Sequence, residues 1–111
     1  MSTLKIVTEI KLGVVVMATV GSIDATTTSD FENAGLELVR AGTNPLVLDF
    51  SGVQYISSAG LRSVLMLGKT LQDKGGALRL ANLGGMVAQV FELSGFSTLF
   101  PTFDSVASAI L

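Results

Sequence analysis

Leu46-Val47-Leu48-Asp49-Phe50-Ser51-Gly52-Val53-Gln54-Tyr55-Ile56-Ser57-Ser58-Ala59-Gly60-Leu61-Arg62 is the stretch on which the fold turns. Its first part, Leu46 to Phe50, is an apolar run broken only by Asp49. Such a run suits a strand covered on both faces. Its last part opens a helix near Ser58. There Leu61, Val64, Leu65, Gly68 and Leu71 or Gln72 recur at helical spacing, with Arg62, Lys69 and Asp73 on other faces and Gly75-Gly76 as the stop. Residues 51–58 between strand and helix read as a connecting loop.

Outward toward the N-terminus, Leu4 to Ile10 alternates imperfectly, with Leu4, Ile6, Thr8 and Ile10 on one face, and reads as a strand. Gly13 marks a turn, and the β-branched run Val14 to Val20 reads as a second strand, antiparallel to the first. Gly21 to Thr28 is a polar loop. Ser29-Asp30-Phe31-Glu32 fits a capping box, followed by Ala34, Leu38 and Val39 on the face of Phe31 and by Gly42 as the C-terminal stop.

Toward the C-terminus, Ala77 to Ala81 reads as a strand and Met86 to Ser94 as a helix with Val87, Val90 and Phe91 inward and Gly95 as its stop. Leu99-Phe100 reads as a short fifth strand. Asp104 or Ser105 caps a last helix with Val106, Ala109 and Ile110 inward. Met17, Met66 and Met86 read as core filler, as do Phe96 and Phe100. The order ββαβαβα(β)α predicts one α/β domain over residues 1–111, with a mixed four- to five-stranded sheet and about four helices. In such units the loops after the strands' carboxyl ends gather on one edge. Those loops are 21–28, 51–58 and 82–85, so Gly21-Ser22-Ile23-Asp24 is expected beside Ser57-Ser58.

Composition narrows the chemistry. The 111 residues are 49% apolar, enough for a real core, and carry a net charge of −2. No run of Lys or Arg supplies the clustered positive field that nucleic acid or an anionic membrane needs. The apolar run Val14 to Ala18 is far shorter than a membrane span, so the chain reads as cytoplasmic. With no Cys, disulfides and thiolate chemistry are excluded; with no His, the commonest general base and metal ligand are missing. No cofactor or metal site is expected, and no catalytic residue.

The serine pair has two readings on pattern alone. Serine is a favoured N-cap. A helix start also presents unsatisfied N–H groups and a positive dipole end, which favour an anion and hence a phosphoryl group. Asp49 reads as the residue that holds the loop after its strand. Gly84-Gly85 comes without a Walker pattern and reads as a turn.

Val47-Leu48-Asp49-Phe50-Ser51-Gly52-Val53, followed by Tyr55-Ile56-Ser57-Ser58-Ala59-Gly60-Leu61, resembles the signature of bacterial anti-sigma factor antagonists, the STAS domain family. Gly21-Ser22-Ile23-Asp24, Gly75-Gly76-Ala77-Leu78 and Phe91-Glu92-Leu93-Ser94-Gly95-Phe96 with Leu99-Phe100 extend the resemblance over nearly the whole chain. It implies a protein whose unphosphorylated form binds an anti-sigma factor, a serine kinase with a histidine-kinase-like ATPase fold, and so frees a sigma factor. Phosphorylation releases the antagonist, and a metal-dependent serine phosphatase reverses the mark. Matched position by position, the phosphoacceptor is Ser58, with Ser57 as the alternative. The partner-binding residues are then Ser22, Ile23, Asp24, Ser57, Ser58, Ala59, Gly60, Leu61 and Arg62; by residue type alone Asp24 reads equally as a turn-former that bonds its own backbone, and Arg62 as a solvated cation. The chain departs from the family at Ser57, where an aspartate is common, at Ala59, where Ser or Thr is common, and at Ser22, where an acid is common.

Two other readings compete. One is a STAS scaffold subunit of a transporter or signalling complex that is never phosphorylated, suggested by the lost aspartate at Ser57. The other is a serine hydrolase, which without His needs a Ser-Lys arrangement, and the motif holds no lysine.

Overall fold

The structure is a computed structural model and describes residues 3–111. In chain order it contains β1 (Lys5–Lys11), β2 (Val14–Ile23), α1 (Thr28–Arg40), β3 (Leu46–Ile56), α2 (Ser58–Asp73), β4 (Leu78–Ala81), α3 (Gly85–Leu93), a 3-10 turn (Phe96–Thr98), β5 (Thr102–Phe103) and α4 (Val106–Ile110). The strands lie in the sheet in chain order, β1-β2-β3-β4-β5. β1 and β2 form the expected antiparallel hairpin, and the other neighbours are parallel. The sheet is thus mixed and five-stranded with four helices, as the periodicity predicts.

β3 explains the layering. Leu46, Leu48 and Phe50 enter a core shared with Phe31 and Val39 of α1, Val64, Leu67 and Leu71 of α2, and Val87 and Phe91 of α3. Val47 between them enters a second cluster with Val16, Ala81 and Ala109, the last from α4. Both faces of the strand are covered, hence its continuous apolar run. The Arg79 guanidinium fixes α4 by donating to the Ala109 carbonyl at 2.8 Å. The two long helices approach closely because Gly35 has no side chain: a Cβ there would stand 2.6 Å from Leu67 Cδ1.

Several sequence expectations are corrected. Residues 51–56 are strand, not loop. The register between β2 and β3 shifts twice, once between Ala18 and Val20 and again between Gly21 and Ser22. Each shift opposes one more residue of β3 than of β2, which is a β-bulge. Two bulges break the period of two, so Phe50, Val53 and Ile56 all point into the core, and no alternation survives to be read. β2 likewise runs on to Ile23, so Gly21 and Ser22 belong to a strand.

The start of α1 also differs. Its N-cap is Thr27, and Ser29 lies inside the first turn, so the Ser29–Glu32 capping box is not formed. Glu32 instead accepts from Ser63 on α2. The fifth strand is Thr102–Phe103 and not Leu99-Phe100; Phe100 is buried while Leu99 is exposed. Met86 is exposed at the start of α3 and fills no core, whereas Met17 is fully buried. Thr8 and Ile10 do not share a buried face with Ile6; both are exposed.

Candidate functional site

β2 and β3 end together, and their ends build one edge. The Ser57 amide donates to the Ile23 carbonyl at 2.8 Å, which ties the residue after β3 to the last residue of β2. The turn containing Asp24 is therefore next to the start of α2, as expected. The 82–85 loop is not. β4 stops where Ala81 pairs with Asp49, while β3 continues to Ile56. That loop is anchored lower on β3, where Asn82 Nδ2 donates to Asp49 Oδ1 at 2.9 Å. Asp49 also accepts from the Ser51 amide at 3.0 Å, so it holds local backbone, as its sequence position suggested.

The two serines have different surroundings. Ser57 is the N-cap of α2, in extended conformation, and its Oγ accepts from the Gly60 amide at 3.2 Å. Ser58 is the first residue of the helix proper and is exposed. Its hydroxyl makes no hydrogen bond to any described residue. The first turn of α2 carries no acidic residue, so nothing offsets the positive end of the helix dipole there.

Gly60 lets the helix start lie flat on β2. A Cβ at Gly60 would meet Ile56 Cγ1 at 2.7 Å, Ile23 Cγ2 at 2.8 Å and the Ile23 carbonyl oxygen at 3.0 Å. Ile23 is itself fully buried. Of the residues named from the sequence, Ile23 and Gly60 thus shape the edge from beneath. Ser22, Asp24, Ser57, Ala59 and Leu61 are half-buried, and Ser58 and Arg62 are exposed. Arg62 lies one turn beyond Ser58 on the same helix face.

Asp24 is occupied by its own turn. Its carboxylate accepts from the Thr26 hydroxyl at 2.7 Å, the Thr26 amide at 2.9 Å and the Thr27 amide at 3.2 Å. These donors, the Thr26 hydroxyl foremost, hold its pKa below the usual aspartate value. The buried Thr27 hydroxyl closes the turn by accepting from the Asp24 amide at 2.9 Å and donating to the Ser22 carbonyl at 2.7 Å.

Sequence reasoning missed a polar chain beneath the edge. Thr28 Oγ1 and Ser63 Oγ stand 2.6 Å apart, and Ser63 Oγ donates to Glu32 Oε1 at 3.1 Å. Thr28 therefore donates to Ser63, and the chain ends on a carboxylate. It bolts α1 to α2, and the Thr28 hydroxyl also lies 3.4 Å from the Ala59 carbonyl at the start of α2. The available signal was Ser63, a polar residue on the apolar stripe of α2, where it is buried. A cavity of about 160 Å³ lined by Leu83, Phe91, Thr102 and Asp104 among others lies elsewhere; no residue of the edge lines it. No helix among the described residues is long and apolar enough to cross a membrane.

Comparison with known proteins agrees with this fold. The STAS domain family model matches residues 5–109. A candidate anti-sigma factor antagonist of Bordetella bronchiseptica, BtrV, is 36% identical over 97 residues, covering 87% of this chain and 84% of its own length. The anti-sigma F factor antagonist of Paenibacillus polymyxa is 26% identical over 100 residues, covering 88% and 85%. The crystal structure of an anti-sigma factor antagonist from Mycobacterium paratuberculosis superposes with a TM-score of 0.90 at 25% identity, covering 97% of this chain and 92% of that one.

Proposed function

The chain belongs to the STAS domain family, and on that premise we propose that it is an anti-sigma factor antagonist whose docking edge is switched by phosphorylation of Ser58. In this reading the unphosphorylated protein binds an anti-sigma factor in the cytoplasm through Ser22, Asp24, Ser57, Ser58, Ala59, Leu61 and Arg62, while the buried Ile23 and Gly60 support that surface from beneath. The partner is a serine kinase with a histidine-kinase-like ATPase fold. The domain itself catalyses nothing; it is bound, modified and released.

One observation carries the choice of residue. Ser58 is exposed and its Oγ has no hydrogen-bond partner among the described residues, whereas the Ser57 oxygen already accepts the Gly60 amide. In the transfer, Ser58 Oγ attacks the γ-phosphorus of ATP held by the kinase. The bond to the ADP oxygen breaks, and the hydroxyl proton passes to a base of the kinase. A phosphoserine brings about −1.5 to −2 charge to the edge. The uncompensated end of the α2 dipole tolerates that charge, so the domain stays folded. A partner surface fitted to a neutral hydroxyl faces a desolvated dianion instead, and Arg62 is within reach of the phosphate and is withdrawn from the partner. A metal-dependent serine phosphatase resets the switch.

Incubation with the cognate kinase and ATP, followed by mass spectrometry of peptides, tests the assignment. Label on Ser58 is expected; label only outside Ser57 and Ser58 overturns it. Calorimetry of Ser58→Asp against the same kinase is expected to show weakened binding. Binding unaffected by either Ser58→Ala or Ser58→Asp would favour a constitutive scaffold.

A further inference from the structure

β1 is an edge strand whose described pairing is with β2 alone. Its outward face presents Lys5, Val7, Glu9 and Lys11, which stand opposite Val20, Ala18, Val16 and Val14 of β2. All four are exposed, and Val7 and Ile10 are among the exposed large apolar residues of the chain. An exposed β-branched edge is a template for a further strand. We propose that this edge pairs with β1 of a second copy, antiparallel about a two-fold axis through Val7, to give a dimer with one continuous sheet.

The charge pattern selects that register. With the axis at Val7, Lys5 lies opposite Glu9 of the second copy, Glu9 lies opposite its Lys5, and the two Val7 side chains meet. Opposite charges and β-branched pairs across neighbouring strands stabilise a sheet, and like charges destabilise it. Moving the axis to Thr8 puts Lys5 opposite Lys11 and Val7 opposite Glu9. Parallel pairing in register puts Lys5 on Lys5 and Glu9 on Glu9. Edge lysines ordinarily deter strand addition. Here Glu9 on the same face turns that deterrent into a choice of one arrangement. The Glu9–Lys11 ion pair within the strand, at 3.6 Å, is exposed on both sides and does not compete strongly.

The arrangement closes on itself. A two-fold contact uses the β1 edge of both copies, and the other edge of the sheet is the two-residue β5. Because the two copies run antiparallel, their Ser58 edges point in opposite directions and each stays open to its own partner. The inference is independent of whether Ser58 is phosphorylated.

Sedimentation equilibrium of the full chain over a range of concentrations tests it. The wild type is expected to self-associate to a dimer. Lys5→Glu and Glu9→Lys each put like charges opposite one another and are expected to raise the dissociation constant roughly tenfold or more. Both positions are exposed, so circular dichroism should show an unchanged fold. An equimolar mixture of the two variants restores both opposite-charge pairs in the heterodimer and is expected to recover the dimer. A wild type that stays monomeric overturns the proposal. So do single variants that associate like the wild type, or a mixture that fails to recover.

Discussion

Gly60 lies so close to the Ile23 carbonyl that a Cβ at Gly60 would stand 3.0 Å from its oxygen. The neighbour is backbone that also accepts the Ser57 amide, so it has nowhere to go. Gly60→Ala is expected to destabilise the domain by about 1–3 kcal/mol, the usual cost of overpacking a tight contact. Urea unfolding measures it. A neutral result would mean that the helix start can lift away from β2.

Replacing the serines separates their roles. Ser57→Ala removes the acceptor for the Gly60 amide and is expected to cost about 1 kcal/mol as a lost N-cap. Ser58→Ala removes an exposed hydroxyl with no described partner and is expected to stay within about 0.5 kcal/mol of the wild type. Denaturant midpoints for the two variants check the order. The reverse order would mean that Ser58 is the cap.

The Thr28–Ser63–Glu32 chain is expected to behave as a unit. Ser63→Ala leaves Thr28 without its closest acceptor and Glu32 without a donor, at a cost of about 1–2 kcal/mol. Because the residues share one network, the cost of Thr28→Ala with Ser63→Ala is expected to fall short of the two single costs added together. Strict additivity in a double-mutant cycle would show that the hydroxyls act separately.

The Asp24 turn is expected to respond to acid. Its carboxylate pKa is lowered in the folded protein, chiefly by the Thr26 hydroxyl. A depressed folded value means that the turn's contribution to stability is present above the unfolded aspartate pKa. It is lost as pH falls through the folded value. A carbon-13 NMR titration of the side-chain carboxyl should give a midpoint below that of an ordinary aspartate. Thr26→Val should move the midpoint upward, since it deletes the leading donor; an unmoved midpoint would contradict this origin.

Much of the fold was legible because it follows simple periods. The Val14 run forms a strand, and the two helical stripes face the core, with Phe31, Val39, Val64 and Leu71 buried and Ala34, Leu38, Leu61 and Leu65 partly buried against it, although the spacing passed over the fully buried Leu67. The meeting of the Asp24 turn with the start of α2 was legible because β2 and β3 end together, whereas the 82–85 loop stays away because β4 stops short. What stayed hidden depended on the partner of a residue and not on its neighbours in sequence. Glu32 three residues after Ser29 satisfies the capping-box pattern, yet Ser63 from another helix takes its carboxylate. At Asp24 the sequence left a partner contact and a self-bonded turn equally open, and Thr26 and Thr27 engage it in the turn. Leu99-Phe100 looks like a strand because it is apolar, but Phe100 spends that character on the core and pairing passes to Thr102–Phe103.

The two bulges in β3 have a consequence for the serine beyond packing. They decide how far the strand has rotated by the time it reaches Ile56, and so which way the next two residues look. The aim of Ser58 is therefore encoded by chain length between Asp49 and Ser57 and not by any one side chain. Deleting Gln54 would leave Ser57-Ser58-Ala59-Gly60 chemically intact and still swing the Ser58 hydroxyl out of line with the Asp24 turn.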